Sequence, residues 1–361
     1  MSERRDAYAR AGVDLDVNAQ VKAGLEAAVA STRTDIVAAG FGSFGGAFSL
    51  PAGYEEPVLV SSVDGVGTTL HLAIEWGRPE VAGADVVNHG INDTAVLNAR
   101  PLAFLDYIAS SELEAAIVLA LVEGMAAACR AAGVALIGGE TAQMPDTYRA
   151  GTYDVAGTMI GIAERAAMPD PSRVEVGDVI VGVPSVGLHT NGYSLARKTA
   201  ASLGPDHPVG EGTLADALLA PHPSYHAELA AAFAVPGMKV VAHITGGGLE
   251  ENVPRVLPQS VGARFEIDAW DVPPVFDVIA ADQVVAPGEM YRVFNMGIGL
   301  AIVVSAEDEA ALFLTGGRSA EDFDAMSQDF AAMGAVVERL AVSDSHRGVF
   351  TAMKSGLDEL A

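Results

Sequence analysis

The chain has 361 residues, 50% of them hydrophobic, and a formal net charge of −26. This length and composition predict a globular protein with an ample core, divided into two domains. The acidic balance argues against nucleic acid or an anionic membrane as a partner, since both would be repelled. The single cysteine, Cys129, excludes an internal disulfide framework and a cysteine-based metal site.

The N-terminal residues, Met1–Asp6, lack the apolar segment of a secretory signal. The longest candidate for a membrane span, Ala115–Gly139, is interrupted by Glu123, Arg130 and several glycines, which favours a helix followed by a strand. We therefore expect a cytoplasmic protein.

The first half of the chain alternates helical and strand patterns. Asn18 is the predicted N-cap of a helix that runs to about Ser31. The order that follows fits an α+β domain with helices on one face of a sheet. In sequence it comprises strand Val58–Val63, helices Thr68–Trp76 and Val81–Leu97, strand Leu102–Ala109, a helix from the capping box Ser111–Glu114 to Ala132 with Gly133 as its terminating glycine, and strands Val134–Ile137 and Tyr153–Ala163.

A glycine-rich segment, Gly40–Gly46, matches the pattern Gly-x-Gly-x-x-Gly, and an acidic residue, Asp64, follows it. We reject a dinucleotide-binding fold, because the segment follows a helical pattern and no helical pattern opens after it. Two interpretations stay open. The segment is either a loop that closes over nucleotide phosphates or a mobile connector.

Three acidic residues end apolar elements beside glycine or asparagine: Asp64, Asp93 and Glu140. Asp64 enters the turn Gly65–Thr68, and a helical pattern follows at once. A carboxylate placed there can take a cation, while the turn amides and the helix N-terminus take an anion. The three acids together predict a site for hard cations. The alternative is a set of turn and helix-cap carboxylates.

The proline-containing segment Met168–Ser172 predicts a linker between an N-terminal domain, residues 1–168, and a C-terminal domain, residues 174–361. In the second domain, His189–Ser194 and Thr245–Gly248 each place exposed amides and hydroxyls before a helix, as an anion site requires. The remaining predicted elements are strands 177–183 and 301–304, helices 307–315 and 319–333, and a closing strand 334–342.

The order Asp-Gly-Val-Gly-Thr (64–68), Asn-Asp (92–93) and Gly-Gly-Glu-Thr (138–141) resembles the ATP-dependent superfamily of aminoimidazole ribonucleotide synthetase and thiamine-monophosphate kinase. Three further segments look like phosphoribosylformylglycinamidine cyclo-ligase in particular. They are His-Thr-Asn-Gly-Tyr-Ser (189–194), Thr-Gly-Gly-Gly (245–248) and Met-Tyr-Arg-Val-Phe-Asn-Met-Gly (290–297). The resemblance runs in order from Tyr8 to Gly299, which is most of the chain.

This resemblance implies an α/β (α+β) protein of two domains. The N-terminal sheet-plus-helices domain is expected to dimerise into a barrel-like core, and the C-terminal domain to be α/β. The implied reaction is the ATP-dependent cyclisation of phosphoribosylformylglycinamidine to aminoimidazole ribonucleotide, with release of ADP and phosphate, in de novo purine biosynthesis. ATP and Mg²⁺ are the implied cofactors, and a homodimer is the implied assembly.

The resemblance also assigns site residues, and these are expectations. Metal ligands are Asp64, Asp93 and Glu140. ATP-binding residues are Gly42, Gly45, Gly46, Asp64, Gly65, Gly67 and Thr68. Substrate-binding residues are Thr190, Asn191, Gly192, Ser194, Thr245, Gly246, Gly247, Gly248 and Arg255. The catalytic candidates are His189 and Asp106. The alternative for His189 is a loop histidine that only forms hydrogen bonds with the backbone. Asp106 is a candidate because a lone carboxylate in an apolar strand needs a partner.

The sequence departs from the family pattern at several positions. Thr69 stands where the family has lysine, Gln143 where glutamate is usual and Asp146 where glycine is common, and Arg100 is a candidate to restore the missing positive charge. The departures keep two rival functions open. One is another ATP-dependent kinase or synthetase of the same superfamily, and the other is a nucleotide-binding paralogue without turnover.

One strand of the sequence, taken together with the resemblance, predicts the assembly. Leu102–Ala109 is too apolar for a solvated edge strand, and long apolar edges are normally covered or paired. A homodimer joined through the N-terminal sheets is therefore expected.

Overall fold

A computed structural model describes residues 24–39, 42–265, 267, 270–314 and 341–343. Within these residues the chain forms two compact units. The first unit contains the described residues up to Ala95, together with Ala99–Ala166 and the short segment Pro221–Ser224. The second unit contains the remaining described residues.

The first unit has the predicted order of strand, helices, strand, helix, strand, strand. Before these elements, residues 24–31 are helical. The elements are β1 (Val37–Ala39), β2 (Ala47–Phe48), β3 (Pro57–Gly65), α1 (Thr69–Glu75), α2 (Pro79–Ala95), β4 (Arg100–Ser110), α3 (Ala115–Ala132), β5 (Ala135–Gln143) and β6 (Tyr153–Glu164).

Four strands of this unit form one sheet in the order β3-β6-β4-β5, with β4 and β5 parallel and the other pairs antiparallel. Successive residues of a strand point to opposite faces, so the register decides which side chains share a face. One row across the four strands is Asp64, Gly157, Asp106 and Gly139. The next row, on the opposite face, is Gly65, Ala156, Tyr107 and Glu140.

Helices α2 and α3 cover the face that carries the Asp64 row. They approach each other closely, because a Cβ at Gly83 would collide with the Leu121 backbone and one at Gly124 with the Glu80 backbone. Among the described residues, α3 is the one helix long and apolar enough to cross a membrane. Its packing against α2 is that of a core helix, and β5 follows it, as predicted.

The opposite, outer face of the sheet is only partly covered. Val37 and Phe48, on β1 and β2, pack into an apolar cluster with Ala103 and Ile162. On the outer face of β3, Leu59 and Val63 stay 58% and 70% exposed. The expectation that Leu102–Ala109 is not a solvated edge strand agrees with the structure, because β4 lies between β6 and β5. The exposed apolar residues are on β3 instead.

Two local predictions also differ from the structure. The predicted capping box does not form, because Ser111 Oγ donates to Arg149 O (3.2 Å) and α3 begins after Glu114 with no side-chain cap. The helix does end at Gly133 (φ 66°) as predicted. The strand predicted to end at Ile137 continues through Glu140 to Gln143, because its pairing with β4 persists. Gly139 fits there since the Asp106 carboxylate occupies the space of a Cβ.

The second unit contains a five-stranded sheet in the order β10-β12-β7-β13-β11 with antiparallel pairs. Its buried core includes Ile180, Val240, Leu249, Trp270 and Val303. The elements are β7 (Val179–Pro184), α4 (Tyr193–Leu203), β8 (Pro208–Val209), β9 (Gly212–Thr213), α5 (Leu214–Leu218), α6 (His226–Ala232), β10 (Met238–His243), α7 (Gly248–Asn252), β11 (Gly262–Arg264), α8 (Pro274–Ala281), α9 (Met290–Val293), β12 (Ile298–Val304), α10 (Glu309–Leu314) and β13 (Ala341–Ser343).

The predicted strand–loop–helix pattern after β7 and after β10 is therefore confirmed. The predicted helix 319–333 and most of the predicted strand 334–342 lie outside the described residues. The last residues of that strand prediction fall at the start of β13.

Candidate active site

Two of the three predicted metal ligands, Asp64 at the end of β3 and Asp93 on α2, lie side by side. Ser62 Oγ is 2.8 Å from Asp64 Oδ2 and 3.0 Å from Asp93 Oδ2. A hydroxyl carries one hydrogen and can donate to only one of these carboxylates at a time. Two carboxylates this close favour a cation between them, because like charges at this spacing repel.

A histidine that the sequence analysis missed, His89, completes this group. It precedes Asp93 by one helical turn, so both side chains leave the same face of α2. His89 Nε2 lies 3.8 Å from Asp64 Oδ1 and 3.6 Å from Asp93 Oδ2. Ligand atoms of the three residues all lie within 4.8 Å of one another. We call Asp64, His89 and Asp93 the acid–histidine cluster.

The polar face of α2 also holds the segment Pro221–Ser224. Asp85 Oδ1 accepts from His222 N (2.8 Å), and Asn92 Nδ2 lies 3.1 Å from His222 Nε2. The His222 ring meets the His89 ring edge to face, with centroids 5.6 Å apart. Burial raises the pKa of Asp85 to about 7, and the bond from His222 N opposes that shift. These contacts fix the surroundings of His89.

The turn after Asp64 has the predicted strand–turn–helix geometry. Val66 N donates to Val155 O (3.0 Å), Gly67 adopts a left-handed backbone (φ 69°), and α1 begins after Thr68. Thr69 is fully buried, and its hydroxyl has no hydrogen-bond partner within the described part of the chain. The position where the family has lysine therefore supplies neither a charge nor an exposed side chain here.

Arg100 does not restore that charge. It begins β4 and pairs with Ile162, which also pairs with Leu59 on β3. Leu59 is five residues from Asp64, a separation of about 17 Å along a strand. The expectation that Arg100 replaces the missing lysine is therefore wrong within this unit.

Glu140 does not join Asp64 and Asp93 within one chain. It lies on the outer face, whereas the cluster lies on the helix-covered face. Its strand, β5, is also three strands away from β3, which is about 14 Å at the usual spacing. The predicted convergence of the three acids is therefore wrong for a single chain, because β5 continues through Gly138–Glu140 and alternation turns the side chain outward.

Asp106 stands in the same row as Asp64, beneath the helices. Burial raises the pKa of its carboxyl to about 7, its own backbone amide opposes the shift, and Glu140 adds to it. Burial raises the pKa of the Cys129 thiol on α3, and the nearby Asp106 charge adds to this increase. Asp106 is thus a shielded carboxyl that shares its strand row with Gly139.

The described part of the glycine-rich segment is open. Among the residues that the structure describes, added Cβ atoms at Gly42 and Gly45 would meet nothing within 4 Å, and Phe44 between them is fully exposed. Gly46 packs on the Ile137 side chain, and β2 follows it. No helix opens after the segment, in agreement with the rejection of a dinucleotide-binding motif.

The second unit brings its two predicted substrate loops together. A Cβ at Gly246 would lie 3.3 Å from Asn191 Oδ1, so the loop 189–194 borders the loop 245–248. Asn252, which the sequence analysis did not assign to the site, donates to the carbonyls of Thr245 (3.3 Å), Gly246 (3.1 Å) and Gly248 (2.9 Å). One amide therefore shapes the whole glycine loop.

Arg255 is connected to the same loop. Its Nη1 donates to Asn252 Oδ1 (3.2 Å), and the arginine remains exposed at the surface. The segment that contains α9 and Phe294 contacts both loops, since a Cβ at Gly192 would strike the Phe294 ring and one at Gly248 would strike Tyr291 O. The motifs 189–194, 245–248 and 290–297 therefore form one neighbourhood in which Thr190, Asn191 and Gly247 are partly exposed and Ser194 is exposed.

His189, the first residue of the loop 189–194, is buried. It is 2% exposed, has a left-handed backbone (φ 58°), and places Nε2 3.4 Å from Tyr225 Oη. Tyr225 Oη donates to Pro184 O (2.6 Å), and burial raises the pKa of the tyrosine. His189 is therefore a buried histidine at the start of the loop, with its ring packed against Tyr225.

Comparison with known proteins agrees with this arrangement. Residues 46–163 match the family model described as "AIR synthase related protein, N-terminal domain", and residues 175–321 match its C-terminal counterpart. The fold and the site thus define an AIR synthase-related protein. Curated phosphoribosylformylglycinamidine cyclo-ligases of Bordetella petrii and Bordetella avium are each 43% identical over 337 residues, covering 92% of this chain and 93% of theirs. The chain belongs to the phosphoribosylformylglycinamidine cyclo-ligase family.

Solved structures share the fold at low identity. A thiamine-monophosphate kinase from Stenotrophomonas maltophilia superposes with a TM-score of 0.61 at 17% identity, covering 89% of this chain and 92% of that one. A hydrogenase maturation protein HypE in complex with ATP gives 0.61 at 17%, covering 88% and 84%. The two-domain α/β architecture expected from the sequence is confirmed.

Proposed function

We propose that this protein cyclises phosphoribosylformylglycinamidine to aminoimidazole ribonucleotide, with conversion of ATP to ADP and phosphate, as a cytoplasmic enzyme of purine biosynthesis. The observation that carries the proposal is the 43% identity to two cyclo-ligases over 92% of the chain. The site residues support it, because Asp64 and Asp93 sit together where a strand, a glycine turn and a helix meet.

Residues 1–168 would bind ATP and residues 174–361 the substrate. The side chains of Asp64 and Asp93 suit Mg²⁺, which prefers carboxylate oxygens. Bound there, Mg²⁺ would neutralise charge on the phosphates of ATP. Gly65, Gly67 and Thr68 belong to the turn after Asp64, and their amides and the threonine hydroxyl would bind the phosphates. Gly42, Gly45 and Gly46 are the candidates for closing over the nucleotide.

The chemistry needs positioning more than a protein nucleophile. The γ-phosphoryl group moves to the formyl oxygen of the substrate. The amidine nitrogen that bears the ribose then attacks the activated carbon, and phosphate leaves with the former formyl oxygen. No residue of the chain has to form a bond to substrate in this sequence.

The second unit offers the groups that would hold the phosphorylated substrate. The glycine loop that carries the amides of Gly246, Gly247 and Gly248 is held in shape because Asn252 donates to the carbonyls of Thr245, Gly246 and Gly248. Arg255 adds an exposed positive charge near the loop. Thr190, Asn191, Gly192, Ser194 and Thr245 complete the proposed substrate contacts. His189, packed under the loop, fits a positioning role for these contacts better than direct proton transfer.

Asp106 is the remaining catalytic candidate. Its raised pKa, about 7, gives it both protonation states near neutral pH, which suits proton transfer. Asp106→Asn tests this role, because it keeps the shape and removes the titrating proton. Unchanged turnover and an unchanged pH profile would assign Asp106 to packing alone.

The proposal is tested by incubating the purified chain with MgATP and the formylglycinamidine substrate. We expect ADP and aminoimidazole ribonucleotide in equal amounts, measured by chromatography and by the colorimetric diazo reaction of the aminoimidazole. ADP without the imidazole product would contradict the proposal.

One observation favours a second candidate, a phosphotransferase of the same superfamily. Thr69 is buried where the family has a lysine, so any phosphate contact of that lysine must come from elsewhere or be lost. The products distinguish the two functions. A phosphotransferase produces a stable phosphorylated product from another small molecule, whereas the cyclo-ligase releases inorganic phosphate.

We also propose a homodimer joined through the outer faces of the N-terminal sheets. Leu59 and Val63 expose apolar side chains on that face, and Glu140 projects from it. In such an assembly Glu140 would meet a site of the partner subunit, which a single chain does not allow. Light scattering should give about twice the chain mass of 37.1 kDa.

Paired variants test the dimer. Leu59→Glu with Val63→Glu should shift the particle to one chain mass, because charges cannot be buried unpaired. Val186→Glu, an exposed apolar residue of the other unit, is the control and should leave the mass unchanged. A single-chain mass for the wild-type protein at micromolar concentration would contradict the proposal.

A further inference from the structure

The acid–histidine cluster combines two carboxylate oxygens with one imidazole nitrogen. The distances from His89 Nε2 to the two carboxylates, 3.6 and 3.8 Å, are longer than hydrogen bonds. They are close to the separation of two atoms that bind one ion. Ligand atoms about 2.1 Å from a shared ion at tetrahedral angles are about 3.4 Å apart.

The histidine is held so that this nitrogen faces the carboxylates. His89 is 7% exposed, and the His222 ring packs edge to face against it at an interplanar angle of 83°. His222 is itself fixed by Asp85 at its backbone and by Asn92 at its ring. Groups packed around a metal-binding histidine in this way hold the orientation of its ring.

The type of ligand decides which ion this cluster prefers. Mg²⁺ is a hard ion that favours oxygen and keeps its water molecules, so an imidazole adds little to its binding. First-row divalent metals bind a given site of nitrogen and oxygen ligands with an affinity that rises from Mn²⁺ to Cu²⁺, and imidazole is a ligand they accept more readily than Mg²⁺ does. A site with His89 therefore differs from a carboxylate pair in selectivity as well as in strength.

We propose that Asp64, His89 and Asp93 form a divalent transition-metal site in which His89 Nε2 is a ligand, so that Mn²⁺ binds there more tightly than Mg²⁺. The inference rests on the proposed function, because it specifies the metal class of the same site. It adds a nitrogen ligand that the carboxylate pattern in the sequence does not predict.

Pulsed electron paramagnetic resonance of the full-length chain with Mn²⁺ alone tests the nitrogen ligand. The wild-type protein should show hyperfine coupling of bound Mn²⁺ to ¹⁴N, and labelling with ¹⁵N-histidine should convert it to ¹⁵N coupling. His89→Gln should abolish the coupling and weaken Mn²⁺ binding at least ~10-fold, the scale on which metal sites lose affinity when supporting groups change.

Matched variants keep the outcome specific. His207→Gln removes a histidine of the second unit and should change neither the coupling nor the affinity. Asp93→Asn keeps His89 and should retain the nitrogen coupling while it weakens binding. In competition, Mg²⁺ should displace Mn²⁺ from the wild type only in large excess, and that excess should shrink for His89→Gln.

Bound Mn²⁺ without histidine-nitrogen coupling in the wild type would overturn the inference, as would coupling that survives in His89→Gln. The absence of Mn²⁺ binding at millimolar concentration would overturn it as well. All these measurements omit substrate and nucleotide. A failure to form aminoimidazole ribonucleotide with any metal would contradict the proposed function and leave the Mn²⁺ result intact.

Discussion

The two units arrange their polar groups in different ways. In the first unit, ionisable side chains from a strand and a helix converge in the acid–histidine cluster. In the second unit, the proposed ligand-binding groups are the backbone amides of a glycine loop, and the side chain of Asn252 holds that loop in shape. The first arrangement depends on charge at particular atoms, and the second on the conformation of a loop.

The difference has consequences for substitution. A cation site loses its function when one carboxylate becomes neutral, even if the shape is preserved. An anion site made of amides tolerates changes of the loop side chains, provided that the support beneath the loop survives. Substitutions in the two units should therefore impair the protein in different ways.

The largest effect is expected from Asp64→Asn. The amide keeps the shape and removes the charge, and turnover should fall at least ~100-fold, the scale of losing one electrostatic contact to a transition state. Steady-state product formation at ordinary Mg²⁺ measures it, with Asp206→Asn, an exposed aspartate, as the control.

Glu140→Gln extends this test to the outer face. A comparable loss would support a metal role for Glu140 through a partner subunit. Near-normal turnover of both Asp64→Asn and Glu140→Gln would contradict the assignment of the metal site.

A second prediction concerns Asp85, which supports the cluster through His222. Its pKa in the folded protein is about 7 and its ordinary value is 3.8. Between these values the unfolded chain loses a proton that the folded chain keeps, so stability falls as pH rises. Asp85→Asn keeps an acceptor for His222 N and has no proton to lose.

Urea unfolding at pH 5 and pH 7 measures this difference. The stability of the wild type relative to Asp85→Asn should decrease by about 2 kcal/mol between these pH values. Asp206→Asn, at an exposed position, should show no such change. Parallel pH dependences of the wild type and Asp85→Asn would contradict the raised pKa.

The third substitution, Asn252→Ala, acts on the second unit. It leaves three loop carbonyls without their donor, which costs roughly 1–3 kcal/mol of stability. We expect KM for the phosphorylated substrate to rise about 10-fold, with a smaller change in kcat, because ground-state binding is affected. Asn98→Gly, which removes one bond to Ala167 O, is the control. An unchanged KM would separate the glycine loop from the substrate.

The smallest effect should come from Gly42→Pro. Gly42 has φ 91°, which proline cannot adopt, and a Cβ at this position would meet no atom of the described residues within 4 Å. Nucleotide binding should weaken a few-fold, and hydrogen exchange at Gly42–Ala47 should slow with saturating MgATP in the wild type only. Gly53→Pro, with φ 101° in open space, is the matched control. If saturating MgATP leaves the hydrogen exchange of Gly42–Ala47 unchanged in the wild type, the segment is only a connector.

Much of this arrangement was predictable from the sequence. The β-branched run before Asp64 and the glycine turn after it predict the strand, turn and helix that the structure has, because each preference is local. The order of elements in the first unit and the end of α3 at Gly133 follow from the same kind of signal.

The remaining features depend on contacts between distant residues. The outward direction of Glu140 follows from how far β5 continues its pairing, and glycines at 138 and 139 suggest a loop instead. The spacing of His89 and Asp93 was visible, but a lone histidine on a helix has many possible roles until Asp64 is placed beside it. Asn252 and Pro221–Ser224 acquire their roles only through the backbone that they contact.

The most direct test of the proposed cyclisation follows the formyl oxygen of the substrate. With substrate labelled by ¹⁸O at that position, MgATP and the wild-type chain, we expect one ¹⁸O in each released phosphate and one aminoimidazole ribonucleotide for each ADP. Unlabelled phosphate, or ADP formed without the imidazole product, would contradict it.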